Sequence, residues 1–217
     1  MSSIHTLLET MRKLRDKDNG CPWDIEQTFD SLSKCVVEEA YEVSDAITRK
    51  DYVNLKEELG DVLLQVIFHS EIAKELKLFK FDDVVESLNQ KLVRRHPHVF
   101  ENAPMPKSAI EQTKSWNEIK DLEQNSNKKV TGIFDDIPSA FPPILKAKKI
   151  QRKASKLGFD WKNTSDVIQK IEEELTELKE AIKIRDENNI KEELGDLFFS
   201  IINLARHLQL DSDEMIN

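Results

Sequence analysis

Apolar residues recur at intervals of three and four along much of the chain. Val36, Ala40, Val43 and Ile47 form one such series, and Leu55, Leu59, Val62 and Val66 form another. At about 100° per residue each series collects into one stripe, the mark of an amphipathic helix. The stretch between them, DAITRKDYVN at 45–54, is short, so the two helices are expected to return antiparallel as a hairpin, with the stripes as core faces. A lone hairpin with one apolar stripe closes no core, so pairing between units or between chains is expected. Further on, KSAIEQTKSWNEIKDLEQ at 107–124 has few breakers and reads as a helix, with Ser108 as N-cap and Glu111 three residues later.

The hairpin pattern occurs twice. NLKEELGD at 54–61 returns as NIKEELGD at 189–196, seven letters of eight, and the same shift of 135 carries Glu39, Glu42, Glu58 and Asp61 onto Glu174, Glu177, Glu193 and Asp196. Internal repetition of this kind indicates tandem units. Five of the seven prolines fall between 104 and 143, together with the polar run EQNSNKK at 123–129. The expected organisation is therefore a first unit over 1–103, a Pro-containing linker with a helix over 104–143, and a second unit over 144–217.

Composition narrows the class. Only five glycines and seven prolines occur in 217 residues, and Glu, Lys, Leu and Ile dominate, which is the palette of an all-α protein. A net charge of −9 argues against a nucleic acid polymer as partner, because such binding needs clustered cations. MSSIHTLLETMRKLRDKD lacks the apolar run of a secretory signal, and no stretch approaches a membrane span. Cys21 and Cys35 are the only cysteines and suggest neither a disulfide framework nor structural zinc. No membrane partner and a cytoplasmic location are the expectation.

The acids beside the stripes carry the chemistry. Glu39 and Glu42 lie three apart on one flank of the first stripe, and Glu58 and Asp61 sit at the same offset from the second. Hairpin packing brings the four carboxylates together, where like charges raise one another's pKa values. A hard divalent cation relieves that repulsion, and oxygen-only ligation suits Mg²⁺, or Mn²⁺, rather than zinc. A solvated acidic face would explain a single pair; recurrence as Glu174, Glu177, Glu193 and Asp196 argues for a site. Gly60 and Gly195 lie between the acids, at a cost of ~1 kcal/mol relative to alanine in a helix. A side chain there is expected to crowd the cluster or a facing helix.

EEAYE at 38–42 with EELGD at 57–61, and EELTE at 173–177 with EELGD at 192–196, resemble the MazG family of nucleoside triphosphate pyrophosphohydrolases. GCPWDIEQTF at 20–29, KLVRRHPHVF at 91–100 and KAKKIQRKASKLGFDW at 146–161 extend the likeness over nearly the whole chain. The resemblance implies tandem all-α helical-hairpin units that form bundles, a homodimer, and Mg²⁺-dependent cleavage of nucleoside triphosphates between the α and β phosphates. Removal of noncanonical nucleotides is the implied role. Lys91, Arg94 and Arg95 are then candidates to grip phosphate, as are Lys56, Lys170 and Lys191 by analogy. Glu38, Glu57, Glu173 and Glu192 are candidates to position or deprotonate water, inseparable by sequence from the ligands.

The second unit departs from the first, since adding 135 to Lys91, Arg94 and Arg95 runs past Asn217. That unit is expected to be incomplete at its C-terminal end, although in two-unit relatives it usually carries the activity. A catalytically impaired interaction or regulatory protein is the alternative. A di-iron oxidase is ranked low, because no glutamate has histidine three residues later. His96 and His98 around Pro97 read as a helix-ending turn. Trp23 and Trp161 are expected in the core, with stacking on a base as the minority reading.

Overall fold

The computed structural model describes residues 3–127 and 132–210. Every regular element among the described residues is helical, and the chain divides into two compact units, Met1–Asn127 and Lys128–Asn217.

The first unit is built on the expected hairpin, α3 (Phe29–Arg49) and α4 (Tyr52–Glu75). Thr28 caps α3 reciprocally with Ser31: its hydroxyl accepts from the Ser31 amide at 3.2 Å, and its own amide donates to the Ser31 hydroxyl at 2.9 Å. Two residues turn the chain. Lys50 is left-handed at φ 57°, and Asp51 caps α4 by accepting from the Asn54 amide at 3.1 Å. Packed on α4 are α1 (Ser3–Leu14) and α5 (Phe81–Arg95), and the short α2 (Pro22–Glu26) and α6 (Pro97–Phe100) complete the corners.

The core of this unit is Met11, Leu32, Ile67, Phe68 and Ile72, flanked by Ile4, Leu8, Phe29, Leu64 and Phe81. Arg15 ties the helix ends together. Its guanidinium, buried, donates to both carboxylate oxygens of Glu75 at 2.7 Å and to the Gln27 carbonyl at 3.2 Å, and it lies 5.4 Å from the centre of the Phe68 ring. In the turn after α1, a Cβ on Gly20 would collide with the Leu14 and Asp16 carbonyl oxygens, so the close approach demands glycine there.

The helix expected at 107–124 is α7 (Ala109–Asn127), started by Ser108, whose hydroxyl accepts from the Glu111 amide at 3.1 Å. It packs against α5 and so belongs to the first compact unit.

The second unit repeats the hairpin as α9 (Thr164–Ile184) and α10 (Glu187–His207), with α8 (Pro143–Lys156) against α10. The turn chemistry repeats in register: Arg185 is left-handed at φ 63°, and Asp186 accepts from the Asn188 and Asn189 amides at 3.1 and 3.2 Å. Gly158, at φ +89°, ends α8 in the left-handed conformation that glycine adopts without strain.

Two packing expectations need correction. Val36, Ala40, Ile47, Leu59 and Val66 are exposed, while Leu32, Ala46, Ile67, Phe68, Ile72 and Ala73 are buried. Each stripe therefore lies beside the surface on which a single chain packs, because α1 and α5 cover another face of α4. Trp23 and Trp161 are not core residues either, at 59% and 39% exposed; Trp23 meets Phe68 edge-on with ring centres 6.4 Å apart. His96 ends α5 as expected, its Nδ1 donating to the Leu92 carbonyl at 2.7 Å.

Candidate metal centres

In the first unit, α3 carries Glu39 and Glu42 and α4 carries Glu58 and Asp61. Glu39, Glu58 and Asp61 each offer a carboxylate oxygen such that all three lie within 4.8 Å of one another. Glu42 joins the group through a hydrogen bond with Glu58. Burial raises the Glu58 pKa above the usual carboxylate range, and the charges of Glu42 and Asp61 raise it further.

The second unit assembles the same residue types. Oxygens of Glu174, Glu177 and Glu193 lie within 4.8 Å of one another, and Asp196 acts electrostatically on Glu193. Glu193 and Glu177 are both raised, first by burial; next in weight are Glu177 for the former and Glu174 for the latter. Glu174 is itself buried, at 4% exposed. The donor set fits a hard divalent cation: oxygen ligands only, gathered tightly enough to shift one another's protons.

One cation is already at the second cluster. Lys170 Nζ lies 2.9 Å from an oxygen of Glu173 and 2.9 Å from one of Glu174, and those hydrogen bonds, Glu173 first, raise its pKa. A shift of −135 places Cys35, an uncharged residue, at the matching position of the first unit.

The other anticipated residues divide. Glu38, Glu57, Glu173 and Glu192 are exposed and adjacent in sequence to the clustered acids. Lys56, Lys91 and Lys191 are exposed too. Arg94 and Arg95, expected to face phosphate, both grip Glu123 of α7: Arg94 Nε donates at 2.7 Å, Arg95 Nη2 donates at 2.6 Å, and Arg95 also lies 5.3 Å from the Trp116 ring centre. Those hydrogen bonds, that from Arg95 first, lower the Glu123 pKa to about 2. No pattern in the sequence distinguished Glu123 from other surface acids of a polar helix.

The two glycines do not behave as expected. A Cβ at Gly60 or Gly195 meets nothing within 4 Å, so neither the cluster nor a facing helix of the same chain is crowded there. Both positions point into open space.

Paired hairpins, each bringing together carboxylates that could hold a divalent cation, recur in tandem in an all-α chain. The MazG nucleotide pyrophosphohydrolase domain model matches residues 27–100 and 162–217. A nucleoside triphosphate pyrophosphohydrolase of Escherichia coli K12 is 42% identical over 96% of this chain and 79% of its own length. A nucleoside triphosphate pyrophosphohydrolase/pyrophosphatase MazG of Thermotoga maritima is 46% identical over 97% and 78%. Among solved structures, a mazG-related protein from Thermotoga maritima superposes with a TM-score of 0.44 at 28% identity, covering 54% of this chain and 98% of that one. The chain belongs to the MazG family.

Proposed function

We propose that this protein is a Mg²⁺-dependent nucleoside triphosphate pyrophosphohydrolase, releasing nucleoside monophosphate and pyrophosphate. The carrying observation is the convergence of Glu174, Glu177 and Glu193 on one small volume, repeated by Glu39, Glu58 and Asp61. Glu174, Glu177, Glu193 and Asp196 would hold the cation in the second unit, and Glu39, Glu42, Glu58 and Asp61 in the first. A bound divalent cation neutralises phosphate charge and lowers the pKa of coordinated water. Mn²⁺ would serve in the same donor set.

The chain's own groups then have separable tasks. Glu173 and Glu192, next to the clustered acids, orient water and accept its proton; Glu38 and Glu57 are their counterparts. Lys170 and Lys191 hold phosphate oxygens in the second unit, as Lys56 and Lys91 do in the first. Turnover is assigned to the second unit, because Arg94 and Arg95 of the first are engaged by Glu123 whereas Lys170 stands at the second cluster. The exposed stripes of α3 and α4 support a homodimer in which a second copy covers them. Among the described residues no helix is long and apolar enough to cross a membrane. A cytoplasmic enzyme that removes noncanonical nucleotides is the reading that fits.

The test is product analysis with each nucleoside triphosphate and Mg²⁺. Pyrophosphate and monophosphate should appear, be lost in Glu193→Ala, and persist in Glu58→Ala. Orthophosphate as the sole product, or no product from any nucleotide, contradicts the reading.

A further inference from the structure

The second unit contains a pocket of about 510 Å³, lined by residues of α8, of the GFDW turn and of α10. Its walls include the aromatic side chains of Phe159, Trp161 and Phe199, with Phe159 as much as 77% exposed. Two amides line the pocket as well. Asn203 is 1% exposed and Gln151 4%. Each has one end fixed: Asn203 Oδ1 accepts from Arg206 Nε at 2.9 Å, and Gln151 Nε2 donates to the Phe199 carbonyl at 2.7 Å. The remaining ends, Asn203 Nδ2 and Gln151 Oε1, are buried without a hydrogen-bond partner. A buried donor and a buried acceptor left open together are costly unless a bound molecule, ligand or ordered water, satisfies them.

Position 203 is also where the repeat changes character. A shift of −135 lands on Phe68, which is buried in the first core with Trp23 against its edge and Arg15 over its ring. The first unit fills this place with an aromatic ring; the second puts an unsatisfied amide there. Along α10, Asn203 follows Asp196 by seven residues, which is about two turns, roughly 10 Å, on nearly the same helix face.

We infer that this pocket seats the nucleobase of the bound nucleoside triphosphate, with the aromatic side chains against its face and Asn203 Nδ2 and Gln151 Oε1 on an edge that carries an acceptor beside a donor. The inference rests on the reading of Glu174, Glu177, Glu193 and Asp196 as the phosphate-holding centre. It adds a specificity site remote from the acids. A concave, mostly apolar pocket with a few placed polar groups is the usual form of such a site, and the donor and acceptor pair distinguishes it from an apolar hole.

The experiment uses the full chain carrying Trp23→Phe and Trp116→Phe, so that Trp161 is the sole tryptophan, and titrates adenosine, guanosine, cytidine and uridine in EDTA. At least one nucleoside should quench Trp161 saturably without any cation. Asn203→Phe, which copies the first unit, should weaken that binding at least tenfold, and Phe159→Ala, at an exposed site that folding does not need, should weaken it several-fold. Mn²⁺ binding should remain unchanged in both. Saturable quenching by none of the nucleosides, or equal quenching by indole, overturns the inference, as does an affinity that Phe159→Ala and Asn203→Phe leave intact. Nucleoside binding in a protein that releases no pyrophosphate would instead keep the pocket and remove the hydrolase reading.

Discussion

At the scale of single residues, the charge state of the acids is the part of the account most open to test. Glu58 has its pKa raised by burial, then by Glu42 and Asp61. A carboxyl whose folded-state value lies above its unfolded value stabilises the fold while protonated, and that contribution is lost as pH rises through the raised value. At neutral pH, without a cation, the clustered charge therefore weakens the fold. Glu58→Gln is expected to melt higher than the unaltered protein in EDTA. Added Mg²⁺ should raise the melting temperature of the unaltered protein further than that of the variant. Thermal scans with and without Mg²⁺ check both; a variant that melts lower in EDTA would mean the carboxylate is held by attraction rather than repulsion. The acids themselves were legible in the sequence because spacing by three and recurrence at 135 are both visible there. Asn203 and Gln151 were not, since an amide in the apolar run LFFSIINLA or in the basic stretch KAKKIQRKASK gives no sign of whether its partner is present. The exchange of Phe68 for Asn203 across the repeat was the available signal.

At the scale of elements, α7 changes what the basic end of α5 can do. Glu123 holds Arg94 and Arg95 together, and its pKa of about 2 lies below the ordinary carboxylate range. A depressed value means that the stabilisation is present above the ordinary range and is lost as pH falls toward 2. With Trp116 as the sole tryptophan, its fluorescence should hold steady on acidification through pH 5 and change only nearer that low value. In Glu123→Gln, which has no carboxylate to protonate at this position, that low-pH transition should be absent from the same signal. The hairpins were readable from periodicity and link length, and Ser108 with Glu111 marked the start of α7. The docking of α7 on α5 was not readable, because a helix with polar residues on most faces does not say which charge meets which. Nor did the stripes reveal which flank of each helix a single chain buries: Leu32 and Ala46, rather than Val36 and Ile47, face inward in α3.

At the scale of the whole molecule, two hairpin units of the same design expose apolar residues alongside their acid clusters. The open space at Gly60 and Gly195 joins that observation, because no contact among the described residues explains a helical glycine there. Alanine in an isolated helix would be favoured by ~1 kcal/mol. Gly60→Ala and Gly195→Ala are thus expected to leave the folded chain at least as stable against urea and, where the proposed homodimer packs a second copy's helix on them, to weaken self-association in sedimentation velocity. Unaltered self-association in both variants would remove the glycines from the dimer account. The repeat and the family likeness were legible from the letters; the unlike fates of the two copies, one with a packed Phe68 and one with a pocket beside Trp161, required coordinates.

If acids from neighbouring helices hold divalent cations, Mn²⁺ binding followed by isothermal titration will register it at each unit. The unaltered chain should bind Mn²⁺ at both units. Glu58→Gln should remove the first-unit share and Glu193→Gln the second, and the two together should abolish binding. Equal binding in all four proteins would contradict the claim.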